Sequence, residues 1–174
     1  MLSHLKPYLQ GFFSLFTTIL LLSGCSQYDF KVNDRLVYSP DQLFTDFRVS
    51  DPALQNCLDQ SIKDQSIHTA SSLSRLSCSD AGIRDLEGIK VFTQLQEVNL
   101  RGNQLKSIGP LATLSELRLL LLNNNQLTQA NALLNLLKLE EVVLAGNPDL
   151  RCRELDQLQE VSNAKLTPPS HCKK

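Results

Sequence analysis

One spacing constrains this chain more than any other feature. Leu73, Leu95, Leu117 and Leu139 recur every 22 residues, and the apolar residues after each keep the same order. The four units begin Leu73-x-x-Leu76-x-Cys78, Leu95-x-x-Val98-x-Leu100, Leu117-x-x-Leu120-x-Leu122 and Leu139-x-x-Val142-x-Leu144. Asparagine follows in the last three, as Asn103, Asn125 and Asn147, with Ala81 in its place in the first. The second halves agree as well: Leu86/Ile89/Phe92, Ile108/Leu111/Leu114, Ala130/Leu133/Leu136 and Cys152/Leu155/Leu158 fall at matching offsets. A unit this short cannot bury its own apolar face, so the units must stack and share one core. The alternation that ends each L-x-x-L-x-L run predicts a short strand with one face inward, paired in parallel with its neighbours. Apolar residues three apart in the return half predict 3₁₀ turns or short helix on the convex side. The asparagine stands where the chain turns, and its buried side chain can bond backbone groups that stacking would otherwise leave unpaired.

The L-x-x-L-x-L-x-x-N-x-L run is the signature of leucine-rich repeats. In its 22-residue form it resembles the repeats of internalins and of protein-phosphatase regulatory subunits. The resemblance covers Leu73 to Glu160 and implies an α/β solenoid, a short horseshoe of about four coils with a parallel concave sheet. Residues 51–72 are expected to form an N-terminal helical cap. Asp51-Pro52 supplies an N-cap and a proline at the first helical position, and Ala53, Leu54, Cys57, Leu58 and Ile62 recur at helical spacing. Residues 161–174 are expected to close the other end, with Val161-x-x-Ala164-x-Leu166 as half of a fifth coil. Its outward residues would be Asn163 and Lys165. Pro148-Asp149-Leu150 shifts an apolar residue by one and predicts a loop before the last coil.

The chain before the repeats reads differently. An apolar run from Gly11 to Leu22 is too short to span a bilayer and predicts a signal-peptide core over residues 1–24. Leu22-Ser23-Gly24-Cys25 resembles the lipobox of bacterial lipoproteins. That resemblance implies a diacylglyceryl thioether on Cys25, which becomes an acylated N-terminus holding the protein to a lipid bilayer. Ser26, where lipoproteins retained at the inner membrane commonly carry Asp, favours the outer membrane of the cell envelope. Residues 25–50, broken by Pro40 and without a clean period, read as a tether. Cleavage would remove one base, Lys6, and no acid, so the mature chain holds two more acids than bases. No long basic run offers a nucleic acid a surface on which to release counterions.

Four cysteines remain after Cys25, and an exported chain with an even number predicts disulfides. Cys78 and Cys152 belong to the first and fourth coils, about 14 Å apart at the spacing of stacked strands. A bridge needs Cα atoms within about 7 Å. The expected pairs are therefore Cys57–Cys78 and Cys152–Cys172. His68 and His171 accompany these cysteines without the close paired spacing of a zinc site, so no metal and no other cofactor is expected.

In this register Leu119 and Leu121 point out of the concave sheet, with Val143 beside them, in a row that is otherwise polar. Glu97, Asn99, Arg101, Leu119, Leu121, Asn123, Glu141 and Val143 are the candidate binding residues: an apolar anchor inside a polar rim suits a protein partner. Glycan or peptidoglycan binding is the alternative, but no aromatic residue occupies an outward strand position to floor a sugar site. A structural envelope role without a defined ligand is a third reading. Glu97 and Glu141 fall about 10 Å apart by strand spacing, close to the separation of an inverting glycosidase pair. Nothing else in the pattern suggests an active site, and the chain is read as a binder rather than an enzyme.

Overall fold

The structure, a computed structural model, describes residues 42–172 and the backbone of two short strands before them. These strands, β1 (Phe30–Val32) and β2 (Arg35–Tyr38), pair antiparallel and belong to a unit separate from residues 42–172. Cys25 and the leader lie outside the described residues.

The larger unit begins inside the stretch read as tether. Leu43, Phe44, Phe47 and Val49 pack against the core, and the Phe44 N–H bonds the Ile67 carbonyl at 2.8 Å. The Phe44 and Phe47 rings stack on each other, and both make T-shaped contacts with Phe92, which is fully buried in the first coil. Helix α1 (Pro52–Asp64) follows. It buries Leu54, Leu58 and Ile62 in the same core, one apolar residue per turn on a single face. It ends at Gln65, whose N–H bonds back to Lys63 and Ser61.

Five strands then form one parallel sheet in chain order: β3 (Arg75–Ser77), β4 (Glu97–Asn99), β5 (Leu119–Leu121), β6 (Glu141–Val143) and β7 (Lys165–Thr167). The repeat period is the register itself: Leu76 pairs with Val98, Val98 with Leu120, and Leu120 with Val142. Every residue at an inward position of the middle coils is buried, and Leu117, Leu120 and Leu122 expose nothing. Each such leucine contributes about 1.5–3 kcal/mol relative to an exposed one.

Returns from the sheet run through 3₁₀ turns at Ile89–Val91, Gly109–Thr113 and Asn131–Asn135. The fourth return differs, being a ten-residue α-helix, α2 (Cys152–Val161), with Leu155 and Leu158 inward. An α-helix advances about 1.5 Å per residue against about 2.0 Å for a 3₁₀ turn, so it uses more residues over the same path. Consequently β7 pairs with β6 as Glu141 with Lys165 and Val142 with Leu166, an offset of 24 rather than 22. The outward pair of the last strand is therefore Lys165 and Thr167. The sequence reading of Asn163 and Lys165 is two residues early.

The asparagines do what their position predicts. Asn125 Oδ1 accepts the Leu105 N–H at 3.1 Å, while its Nδ2 donates to the carbonyls of Leu100 and Leu122, each at 3.0 Å. Asn103 and Asn147 repeat the arrangement one coil to either side. A second ladder runs just before it. Asp80, Gly102, Asn124 and Gly146, again 22 apart, all hold positive φ. A Cβ on Gly102 would fall 1.9 Å from Asp80 Oδ1, and one on Gly146 would fall 2.1 Å from Asn124 Oδ1. Glycine thus alternates with Asp or Asn because each polar side chain lies over the left-handed turn of the next coil.

Disulfides close both ends. Cys57 on α1 joins Cys78 in the first coil, with Cα atoms 5.8 Å apart, and Cys152 at the start of α2 joins Cys172, at 5.2 Å. Each closes a loop of about 20 residues, worth about 3 kcal/mol by loop entropy.

Candidate functional site

The concave sheet carries two outward residues per strand. Along one row the residues are Arg75, Glu97, Leu119, Glu141 and Lys165; along the other, Ser77, Asn99, Leu121, Val143 and Thr167. Leu119, Leu121 and Val143 are half-buried, each sheltered by strands on both sides. An apolar centre inside a polar row follows directly from which residue types fall at these positions in each repeat.

Helix α1 turns this sheet into a groove. Its last turn reaches the outer edge of β3, where Gln65 Nε2 donates to the Arg75 carbonyl at 3.1 Å. The Cys57–Cys78 bridge fixes the helix there. Between this wall and the strands lies a groove of about 480 Å³. Glu97, Asn99, Leu119 and Leu121 line it, together with Arg75, Ser77 and three residues of the helix end, Ser61, Asp64 and Gln65. The helix wall is absent from the sequence-based candidates. Its one signal was the pairing of Cys57 with Cys78, which requires the helix to lie against the first coil.

The other candidates sit around this groove. Glu141 and Val143 extend the floor on β6, while Arg101 and Asn123 lie in the turns after β4 and β5, where their carbonyls accept the N–H of Asp80 and of Gly102. Asn99 is held in place, its Nδ2 on Ser77 Oγ at 3.3 Å and its Oδ1 accepting the Arg101 N–H at 3.1 Å.

Ion pairs link successive coils: Glu116 with Lys138 at 2.6 Å, Glu140 with Arg118, and Glu141 with Lys165 at 3.0 Å. Glu140 holds Arg118 above its usual range, by a hydrogen bond first and by its charge second. Each pair has at least one well-exposed partner, so solvent screening leaves it a minor contribution to stability. Glu97 makes no such pair among the described residues, although Arg75 is its neighbour in register. Of the two carboxylates about two strands apart, Glu141 is thus ion-paired with Lys165 and Glu97 is not.

Two further features were not visible in the sequence reading. Leu137 and Val161 are 92% and 71% exposed and border a lateral groove of about 500 Å³ between the Asn131–Asn135 turn and the end of α2. The signal existed: Leu137 falls where the two preceding coils carry Thr93 and Ser115. Cys152, His171 and Cys172 bring their ligand atoms within 4.8 Å of one another. The two sulfurs are consumed by the disulfide, however, and His171 Nε2 is hydrogen-bonded to the Leu150 carbonyl at 2.8 Å.

No family model and no curated protein sequence matches the chain. Among solved structures, an internalin from Listeria monocytogenes aligns at 28% identity and a TM-score of 0.51, over 55% of this chain and 30% of that one. Internalin C2 from the same species aligns at 23% identity and a TM-score of 0.58, over 67% of this chain and 53% of that one. This chain therefore spans less than two thirds of the length of either. With the parallel sheet of stacked coils, these neighbours mark a leucine-rich repeat solenoid.

Proposed function

We propose that this chain is a lipid-anchored cell-envelope protein whose repeats bind another protein through the concave face. About four coils form the scaffold, with α1 capping one end and the half-coil of β7 the other. Concave surfaces of stacked repeats are the ones such proteins commonly use. The observation that carries the reading is the apolar centre, Leu119, Leu121 and Val143, on the floor of a polar-rimmed concavity walled by α1. Catalysis has less support, since the row offers no nucleophile with a base and Glu141 is ion-paired. Glycan binding lacks an aromatic floor on any of the five strands.

A photo-crosslinking residue at Leu121 in living cells is expected to give one defined protein adduct. The same residue at Thr113, exposed in a 3₁₀ turn of the return, is expected to give none. Equal labelling from both positions, or none from Leu121 in folded protein, would remove the concave face from consideration.

Anchoring is a separate step of the reading and rests on the lipobox-like Leu22-Ser23-Gly24-Cys25. Cys25→Ser is expected to abolish incorporation of labelled palmitate and to move the protein from the membrane fraction to the soluble fraction. Several acyl chains hold a protein far more firmly than one, so the shift should be nearly complete. Membrane retention of Cys25→Ser at the wild-type level would sink the anchor.

A further inference from the structure

We infer that the concave groove selects a partner segment that presents a basic side chain next to an apolar one, with Glu97 as the charge that reads the base. This rests on the concave-face reading above and specifies its occupant.

Charge is distributed unevenly along the outward row. Leu119 lies between two carboxylates, Glu97 on β4 and Glu141 on β6, each one strand away, or about 5 Å. The two are not equivalent. Glu141 is ion-paired with Lys165 at 3.0 Å, and the acids flanking the row, Glu116 and Glu140, have their own cations one coil away. Glu97 is left open to the groove, on the side where α1 brings Asp64 in as a second lining carboxylate. Asp64 accepts a hydrogen bond from the neutral amide of Gln60 at 2.6 Å, which leaves its charge uncompensated. Arg75 is the one cation lining the groove, and it does not close an ion pair with Glu97. The N-terminal half of the groove is therefore net acidic, and the half at Leu119 and Leu121 is apolar.

A partner segment running across the strands in extended form places side chains i and i+2 on one face, about 6.6 Å apart. That span joins a leucine-type side chain over Leu119 and Leu121 to a lysine or arginine reaching Glu97. An acidic segment in the same place would meet Glu97 and Asp64 with like charge.

The test uses the full chain with both disulfides oxidised, held in detergent micelles and isotopically labelled. Amide shifts of the groove residues are followed while short peptides carrying Leu-Ser-Lys, Leu-Ser-Glu or Ser-Ser-Lys are added. Leu-Ser-Lys is expected to bind about two- to fivefold more tightly than Leu-Ser-Glu, the range of an exposed ion pair. The preference should fade at about 1 M salt, where screening acts over about 3 Å. Glu97→Lys should reverse the preference, and Leu121→Ser should weaken both leucine peptides together. A Lys-over-Glu preference untouched by Glu97→Lys would overturn the assignment to Glu97. Absence of groove shifts with every peptide would overturn the inference as a whole. The Leu121 crosslink would still report separately on whether the face binds a protein at all.

Discussion

Asn125→Ala should destabilise the solenoid by about 2–6 kcal/mol, a large share of the stability of a domain this size. Asn125 is 4% exposed and serves three backbone groups at once: the Leu105 N–H in the turn of the preceding coil and the carbonyls of Leu100 and Leu122 in two successive coils. Truncation orphans the Leu105 N–H, at about 1–3 kcal/mol, and takes one bond of about 0.5–1.5 kcal/mol from each carbonyl, since Leu100 keeps Asn103 Nδ2 and Leu122 keeps Asn147 Nδ2. Asn125→Leu should be no better, because it fills the volume without supplying either a donor or an acceptor. Asn124→Ala is the internal control, since that side chain is exposed and its loss should cost about 1 kcal/mol through the left-handed turn. Urea unfolding with both disulfides intact measures all three. A loss below about 1 kcal/mol for Asn125→Ala would mean that water replaces the side chain and that the ladder does not hold the coils together.

The same ladder shows why so much of this fold is legible in the sequence. Stacking forces equivalent atoms of successive coils into contact, so the period of 22 that aligns Leu95, Leu117 and Leu139 is also the register that pairs Val98 with Leu120 and Leu120 with Val142. Leu119 and Leu121 could be placed on the outward face by counting alone. Counting fails where the return changes its helix type. Through α2 the offset grows to 24, and the outward pair moves from Asn163 and Lys165 to Lys165 and Thr167. The composition of that return, with Glu154, Leu155, Gln157, Leu158, Gln159 and Glu160 and neither glycine nor proline, favours α-helix. The matching apolar offsets of Cys152, Leu155 and Leu158 conceal the difference, because residues three apart suit both helices. Long-range geometry is the other blind spot. The Cys57–Cys78 pairing places α1 against the first coil, but nothing in the sequence fixes the angle that makes Ser61, Asp64 and Gln65 the wall of a groove floored by Leu119.

Asp51→Ala should cost about 3 kcal/mol or more, and Asp51→Asn should recover little of it. The usual N-cap preference, under which Asn and Asp are interchangeable, should fail here. Asp51 caps α1 through Oδ1, which accepts the N–H groups of Ala53 at 2.8 Å and Leu54 at 3.2 Å. Its second oxygen does something a cap does not require: Oδ2 accepts the N–H groups of Arg84 at 2.7 Å and Asp85 at 3.1 Å, in the turn of the first coil. One carboxylate thus ties the helix to the repeats with both oxygens acting only as acceptors. An amide keeps one acceptor and turns its NH₂ toward two backbone donors, so either the cap or the tie must break. The same geometry sets a pH dependence. Burial alone would raise the pKa of Asp51, but the four N–H groups, led by Arg84, outweigh it and hold the value below the usual 3.8. A carboxylate with a lowered folded-state pKa contributes stability that is fully present above 3.8 and lost as pH falls through the folded value. Urea midpoints of the wild type should therefore fall below about pH 4, while those of Asp51→Asn lack this component of the fall. Parallel profiles for the two proteins across that window would show that the four hydrogen bonds do not act on the charged form, and that the helix is held to the first coil by its disulfide and apolar face alone.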